Sequence, residues 1–485
     1  MRWRDPLIWS IATFTTILPA SAQIPERLRP FIKEDARSLV LNHVRVIDGT
    51  GSAPVEDARV VITDGRIVSI GSAAAASAFP AGAKVLDATG KTVIPGLVGM
   101  HEHLFYPLPG GGPDRLALYG EMADSAPRLY LAAGVTSART GGSMEPYADL
   151  SLKKLIDSGQ IPGPKLHITG PYIGSLSPTL AQMHILTGPD DAARLVDYWA
   201  AEGATSFKAY MVITPEELKA AIDRAHAHNL KITGHLCSVG FTEAAEMGID
   251  NLEHGLIVDT EFFSGKKPGL CPAQAANQAE MAKSLDVESA KVQKMIHDLV
   301  SHHVAVTSTL AIFETSVPNR PPLSTLARTR MALTGKAWAS YLEGRARVAE
   351  RAATSDFSAL FRKEMQFERD FVKAGGLLMA GCDPTGYGGV LAGFGDQREL
   401  ELLVEAGFTP VEAIHIATEN AAKFLGEDGL LGTIAPGKAA DLVLLSGNPA
   451  ANIHDISRVE TVFKDGVGYD PEKLIDSVKG AMGLR

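Results

Sequence analysis

Two histidines one residue apart, His101 and His103, follow an apolar run in the segment "GLVGMHEHLFYP" (residues 96–107). On a β-strand, residues i and i+2 point to the same side, so both imidazoles could bind one metal ion at the strand end, while Glu102 would point away. In a loop they would be two ordinary histidines. The spacing alone leaves both interpretations open.

A second pair with the same spacing, His226 and His228, lies in "TPEELKAAIDRAHAHN". Thr214 as N-cap, Pro215 at the first helical position and Glu217 three residues after the cap predict a helix here. Residues two apart on a helix lie about 200° apart around its axis. This pair therefore cannot close on one ion, and the strand interpretation separates the first pair from it.

Four further candidate ligands stand at or just past the ends of later apolar segments. They are Lys208 in "SFKAYM", His235 in "ITGHL", His254 in "NLEHG" and Asp383 in "MAGCDPTG". A lysine in an apolar strand is costly to bury as a cation, and desolvation lowers its pKa. The neutral Lys208 amine could add carbon dioxide and become an anionic carbamate; the alternative is a buried ion pair.

The elements that would position these residues alternate between strands and helices. Eight strands are predicted, at residues 94–100, 134–140, 165–172, 206–211, 231–236, 251–253, 303–310 and 377–382. Eight strands alternating with helices favour a (β/α)8 TIM barrel, in which reactive groups sit at the carboxyl ends of the strands. The α/β barrel is expected to span residues 94–429.

Both ends of the chain carry short β-rich segments broken by turns. Asp64-Gly65 between β-branched runs is a strong hairpin signal, and similar segments recur after Gly432. Residues 38–93 and 430–470 are therefore expected to form one small β-sandwich domain. Two long stretches, 256–301 and 311–373, exceed a simple barrel; the second is helical in pattern and predicts a lid, an oligomer interface or a solvated face.

The N-terminus has the pattern of an export signal. Arg2 and Arg4 precede an apolar segment, residues 7–18, and the small residues 20–22 follow. This predicts a cleaved signal peptide, residues 1–22, with cleavage before Gln23 and a periplasmic or secreted protein. The apolar run is too short for a stable membrane anchor, although an uncleaved anchor is the alternative.

Charge and cysteine content limit the partners and the crosslinks. The net charge of −10 and the lack of a long basic run disfavour nucleic-acid binding. Three cysteines, Cys237, Cys271 and Cys382, allow at most one intramolecular disulfide. Cys237, two residues after His235, is interpreted as a packing residue.

The quoted motifs together carry a family resemblance. "VIPGLVGMHEHL", the lysine in "SFKAYM", "GHL", "EHG", "GCDPTG" and "GLLGTIAPGKAADLVLLSGNP" resemble the amidohydrolase superfamily, in particular its secreted prolidase-like and imidazolonepropionase-like members. The resemblance extends from residue 39 to residue 467. It implies two divalent metal ions per chain, usually Zn²⁺, bridged by a hydroxide and by a carbamylated Lys208.

Carried over residue by residue, the resemblance assigns His101, His103 and Asp383 to the first metal and His235 and His254 to the second. The metals would make hydroxide attack feasible at neutral pH, and Asp383 would act as base and then as acid. Manganese or cobalt would suit the same donors. One departure stands out: related sequences often carry a histidine where this chain has Gly395-Asp396-Gln397.

Substrate contacts are predicted at three positions, and for two of them a purely structural role is the alternative. Tyr210 could bind an oxyanion or a carboxylate, or pack in the barrel; Arg139 could clamp a carboxylate; His184 could line the pocket or lie on the surface. The predicted function is metal-dependent hydrolysis of an amide bond in a small molecule, a dipeptide or an N-acyl amino acid, by a homo-oligomer. An ester, lactone or carbamate hydrolase with the same site and a non-enzymatic metal-stabilised barrel are the alternatives.

Overall fold

The computed structural model describes residues 24–75, 79–108, 118–175, 182–385 and 389–483. The predicted signal peptide, residues 1–22, lies outside these ranges. Within them, every helix is too short or too polar to cross a lipid bilayer.

The described residues contain twenty strands, numbered in chain order. They are β1 (Ile32–Glu34), β2 (Ser38–Val46), β3 (Val55–Thr63), β4 (Arg66–Ser72), β5 (Lys84–Asp87), β6 (Thr92–Pro95), β7 (Leu97–Glu102), β8 (Phe105–Leu108), β9 (Leu118–Glu121), β10 (Val135–Thr140), β11 (Lys165–His167), β12 (Thr169–Ile173), β13 (Ser206–Met211), β14 (Lys231–Leu236), β15 (Asn251–Glu253), β16 (Ala305–Ser308), β17 (Leu378–Ala380), β18 (Leu442–Leu445), β19 (Val459–Lys464) and β20 (Val467–Tyr469).

The same described ranges contain fifteen α-helices, numbered in the same way. They are α1 (Ser125–Ala132), α2 (Pro146–Asp157), α3 (Pro189–Glu202), α4 (Pro215–Ala227), α5 (Phe241–Met247), α6 (Gln274–Ser284), α7 (Ala290–Ser301), α8 (Leu310–Glu314), α9 (Ala327–Ala332), α10 (Gly335–Glu350), α11 (Phe357–Lys373), α12 (Phe394–Ala406), α13 (Pro410–His415), α14 (Ala421–Leu425) and α15 (Pro471–Asp476). A π-helical turn, Ile416–Asn420, joins α13 to α14.

Both ends of the chain build one nine-stranded sheet. Its order is β1-β20-β19-β18-β6-β2-β3-β4, with β5 paired to β2. Buried side chains from both ends, such as Leu41, Val60, Leu442 and Phe463, share one apolar cluster. The hairpin expected at Asp64-Gly65 joins β3 to β4, and both residues have positive φ, as its tight turn requires.

The middle of the chain contributes parallel strands in two sheets, β11-β10-β7 and β12-β13-β14-β15-β16-β17. Helices connect most neighbouring strands, so the described chain has a mixed α/β fold of the TIM-barrel type. The predicted third strand is interrupted at Ile168: its first part, β11, pairs with β10, and its second part, β12, pairs with β13.

The predicted first strand is also two strands, divided at Gly96. Ile94 pairs with Val443 in the nine-stranded sheet, whereas Leu97 begins the parallel strand β7. The Gly96 N–H donates to the Asp441 carbonyl, and a Cβ here would meet the Thr136 side chain at 2.0 Å. Glycine therefore lets the chain cross from one sheet to the other.

The stretch 256–301 carries α6 and α7, and 311–373 carries α8 to α11. A disulfide joins Cys237, after β14, to Cys271, before α6. The interpretation of Cys237 as a packing residue missed this crosslink, because cysteine spacing alone does not fix connectivity. Cys382 is a buried free thiol.

Candidate metal centre

The six predicted ligands meet at the carboxyl ends of the parallel strands. They lie on β7, β13 and β14, directly after β7 and β15, and in the loop after β17: His101, His103, Lys208, His235, His254 and Asp383. The ring centroids of His101 and His254 are 4.5 Å apart, and those of His235 and His254 are 4.4 Å apart. Strand alternation and the parallel sheet thus bring together residues up to 282 positions apart, from 101 to 383.

Asp383 lies between histidines of different strands. Its Oδ1 is 3.1 Å from His103 Nε2 and 3.7 Å from His101 Nε2, and its Oδ2 is 4.0 Å from His254 Nδ1. His101 Nε2 also lies 2.9 Å from Lys208 Nζ. One ligand atom each from His101, His254 and Asp383 lies within 4.8 Å of the other two, a spacing that could hold a metal ion.

Backbone conformation directs two of these side chains. His254, directly after β15, and Asp383, three residues after β17, both have positive φ, 73° and 49°, so the chain turns sharply at each. The Asp383 N–H donates to the His101 carbonyl at 3.0 Å, and the His254 N–H donates to the Thr307 carbonyl at 3.0 Å. These bonds fix the strand ends that carry the site.

Burial keeps the imidazoles neutral. Desolvation lowers the pKa of His103 to about 4 and that of His235 to about 3, and it also lowers the pKa of His101 and of His254. Only a deprotonated ring nitrogen can bind a metal, so these histidines are in the ligand form at neutral pH.

The two other charged groups respond in opposite ways to the same environment. Burial lowers the pKa of Lys208 to about 8, although Glu253 and Asp383 favour its cation. Burial alone would raise the pKa of Asp383, but His101 and His103 outweigh it and hold the pKa of this carboxyl below its usual range. The centre therefore combines an ionised carboxylate with an amine that loses its proton easily.

Two ring nitrogens at the centre, His103 Nδ1 and His235 Nε2, are buried without a hydrogen-bond partner among the described residues. Buried polar atoms are rarely left unpaired, since each costs about 1–3 kcal/mol. The surrounding donors are imidazoles and a carboxylate, which zinc and other divalent cations accept. The residues present thus fit the divalent cations that the resemblance implies.

Glu253, on β15, supports the centre and was missed by sequence reasoning. Its Oε2 lies 2.8 Å from His101 Nδ1, and its Oε1 accepts a hydrogen bond from Arg139 at 2.7 Å. Arg139 is fully buried and also donates to the Met100 carbonyl. It therefore binds a carboxylate of the protein itself, in place of the predicted substrate carboxylate. The signal available in the sequence was the acidic residue directly before His254.

The two other predicted substrate contacts lie in different places in the structure. Tyr210 lies beside the centre, with its ring 5.1 Å from that of His235 and 4.8 Å from that of Tyr172. His184 is half-exposed, and its Nε2 lies 2.9 Å from Asp191 Oδ2 on α3. Tyr210 can therefore reach a molecule at the centre, whereas His184 is engaged at the surface.

Aromatic side chains form one wall of the centre. Phe105 stacks on His103 with ring centroids 4.4 Å apart, and Tyr119 packs against Phe105 at 4.7 Å. Phe313 of α8 lies 5.6 Å from His254. These two phenylalanine rings thus contact two of the four imidazoles of the centre.

Glu102 points away from the centre, as strand alternation requires. Its carboxylate accepts from the Cys382 N–H at 3.2 Å and lies 3.2 Å from the Cys382 thiol, which is 3.3 Å from Asp396 Oδ2. Asp396 lies in the first turn of α12, in the segment 395–397 expected to differ from related sequences. It also accepts from the Gly393 N–H, so it caps α12 rather than facing the centre.

Parallel strands whose carboxyl ends carry imidazoles, a lysine and a carboxylate are typical of metal-dependent hydrolases on TIM-barrel-type folds. The model of the Amidohydrolase family matches residues 92–468. The chain belongs to this family and is a hydrolase of the amidohydrolase superfamily, whose members generally use divalent metal ions.

Individual relatives are distant but extend over most of the chain. A dihydroorotase of Pelotomaculum thermopropionicum is 24% identical over 401 residues, 81% of this chain and 85% of the relative. A solved Xaa-Pro dipeptidase with bound methionine is 20% identical, with a TM-score of 0.65 over 89% of this chain and 100% of that one. A bottromycin amidohydrolase is 20% identical, with a TM-score of 0.68 over 95% of each chain. These two likenesses concern the fold.

Proposed function

We propose that this protein is a binuclear metal-dependent hydrolase of amide bonds in dipeptides or N-acyl amino acids. One observation carries the proposal: four neutral imidazoles surround Lys208 and Asp383, and two of their nitrogens lack partners within the described chain. His101, His103 and Asp383 would hold one divalent cation, and His235 and His254 the other. When bound, such cations lower the pKa of a water molecule and polarise the scissile carbonyl.

Lys208 would join the two halves of the centre. Its amine is buried and has a pKa of about 8, so the neutral form that attacks carbon dioxide is accessible near neutral pH. The amine nitrogen would attack the carbon of carbon dioxide, one C=O π bond would open to an oxyanion, and the nitrogen would release a proton to solvent, which leaves an anionic carbamate. This carbamate would be a ligand for the two cations, which we propose are Zn²⁺.

Asp383 would move the proton. Its carboxylate is ionised and lies beside His101 and His103, so it can accept the proton of the attacking water. It can then deliver that proton to the leaving amine. Tyr210, next to His235, would bind the carbonyl oxygen or a substrate carboxylate, and the Phe105 and Tyr119 rings would contact an apolar substrate group.

We also propose how the two parts of the chain are built. The hydrogen bond from the Asp383 N–H to the His101 carbonyl joins the end of the last parallel strand, β17, to the first, β7. It therefore supports a closed (β/α)8 barrel over residues 94–429. Residues 38–93 and 430–470 would form a β-sandwich domain. The nine-stranded sheet of this domain also includes β1 and Pro95. We further propose an exported homo-oligomer that acts on a small molecule.

Metal analysis combined with a substrate panel tests this function. The proposal requires about two divalent ions per wild-type chain. The Lys208→Ala variant should lose one of these ions and most of the activity. Lys219→Ala, which removes an exposed lysine of α4, is the matched control. One tightly held ion with full activity in Lys208→Ala would refute the binuclear centre. Turnover of aryl esters, lactones or carbamates without turnover of dipeptides or N-acyl amino acids would refute the amide assignment.

A further inference from the structure

A cavity of about 390 Å³ lies outside the metal centre, between α8, α12 and the segment 321–329. His454 and Ser457, from the turn before β19, close its far side. Helix α8 separates it from the centre: Phe313 packs against His254, whereas Ala311 and Glu314 line the cavity. The cavity shares no described lining residue with the six candidate ligands.

Arg328 brings a cation to this cavity, where its hydrogen-bond acceptors are neutral and the Glu401 carboxylate attracts it from a distance. Its guanidinium donates to Gln397 Oε1 at 3.0 Å and to the Ser457 carbonyl, and both acceptors are neutral. It forms no ion pair with any carboxylate in the described ranges. Gln397 is held in turn by the Ala133 carbonyl, at 2.9 Å.

The other charges around the cavity are compensated within the described chain. Arg398 donates to both oxygens of Glu314, at 2.7 and 2.9 Å, and to Glu401 at 2.5 Å. His454 Nδ1 lies 2.9 Å from the second oxygen of Glu401. Arg398 and His454 contact both lining carboxylates, so the Arg328 guanidinium, which pairs with neither, can donate to a carboxylate of a ligand.

Apolar side chains complete the lining and indicate the rest of the ligand. The Arg328 guanidinium lies 5.7 Å from the centre of the Phe394 ring, and further apolar contacts come from Ala311, Leu326, Val390 and Leu391. Small-molecule pockets typically measure about 300–1,000 Å³ and combine an apolar wall with few polar anchors. A guanidinium matches the two oxygens of a carboxylate better than it matches a neutral group.

We propose that this cavity is a second binding site, for a small carboxylate with an aromatic or aliphatic body, with Arg328 as its anchor. The carboxylate would pair with Arg328, and the apolar body would pack against Phe394 and Leu391. The site is separate from the metal centre and does not depend on the proposed function.

Binding of benzoate, measured by isothermal titration calorimetry, tests the site, with neutral benzamide as the matched probe. Wild-type protein and the Asp383→Ala variant, altered at the metal centre, should both bind benzoate at least about tenfold more tightly than benzamide, since a bidentate contact between two charged groups is stronger than a contact with a neutral amide. Arg328→Gln should remove this preference. Arg330→Gln, which changes an exposed arginine stacked on Trp338, should keep it.

A second variant keeps the test valid if Arg328→Gln disturbs folding. Ala327→Phe enlarges an exposed side chain on the cavity rim and leaves the Arg328 hydrogen bonds in place. It should weaken benzoate binding by blocking the cavity. Equal benzoate affinity in wild type, Arg328→Gln and Ala327→Phe, or no preference for benzoate over benzamide in wild type, would overturn the proposal.

Discussion

Glu253 Oε2 lies 2.8 Å from His101 Nδ1, and both side chains are buried. A carboxylate at Nδ1 keeps the proton on that nitrogen and leaves Nε2 as the electron-pair donor that faces Lys208 and Asp383. Arg139 holds the other carboxylate oxygen, so Glu253 keeps its charge despite burial, and its pKa is held well below the usual range. The order Arg139–Glu253–His101 therefore orients one proposed ligand.

Replacing Glu253 by glutamine removes the charge and keeps the shape. We expect metal affinity about 10–100-fold lower than in wild type, because carboxylates hydrogen-bonded to a ligand histidine typically contribute this much. Chelator competition measures the affinity. Glu246→Gln, at an exposed position of α5, is the control. Unchanged metal affinity in Glu253→Gln would show that the contact does not support the ligand.

Glu102 joins the strand ends that carry His103 and Asp383, since its carboxylate accepts from the Cys382 N–H. Glu102→Leu leaves this buried donor unpaired, and we expect a loss of about 1–3 kcal/mol in the free energy of unfolding. Glu102→Gln keeps an acceptor oxygen and should lose much less. Urea denaturation of both variants measures the difference, and equal losses would contradict the assignment.

Much of the candidate site could be predicted because side-chain alternation along a strand depends only on neighbouring residues. Alternation along a strand places His101 and His103 on one side and Glu102 on the other, and each later ligand follows its own apolar segment. Helical periodicity likewise excluded His226 and His228, which contact different aspartates, Asp250 and Asp197.

The features that were missed depend on pairing between distant segments. The interruption at Gly96 arises because Ile94 pairs with Val443, almost 350 residues later in the chain. The Arg139–Glu253 ion pair spans 114 positions. No local pattern encodes such contacts, so the strand limits and the role of Arg139 became visible only in the folded chain.

The disulfide between Cys237 and Cys271 closes a loop of 34 residues next to the strand end that carries His235. Breaking it enlarges the conformational freedom of the unfolded chain, and we expect Cys271→Ser to be less stable by about 2–4 kcal/mol. Thermal unfolding with and without reductant measures this. Reductant should lower the melting temperature of the wild type to that of the variant and leave the variant unchanged. A wild type insensitive to reductant would contradict the crosslink.

Glu121 on β9, which is half-buried, and Asp149 on α2, which is buried, form an acidic pair beside the aromatic wall. Burial, followed by the charge of Asp149, raises the pKa of Glu121 from 4.5 to about 9, and burial raises the pKa of Asp149 to about 7. The folded state therefore holds protons that the unfolded state releases. Stability is highest below pH 4.5 with respect to Glu121 and falls as the pH rises toward about 9.

Glu121→Gln copies the neutral carboxyl and removes its titration. The free energy of unfolding should therefore fall less steeply with pH than in wild type, and near the upper end of this range the variant should be more stable by about 1 kcal/mol or more, since one pKa unit corresponds to about 1.4 kcal/mol. Urea denaturation at a series of pH values measures both curves. Glu202→Gln, at an exposed position of α3, should run parallel to wild type. Parallel curves for Glu121→Gln and wild type would show that the Glu121 carboxyl titrates normally, because a shifted pKa must change the slope.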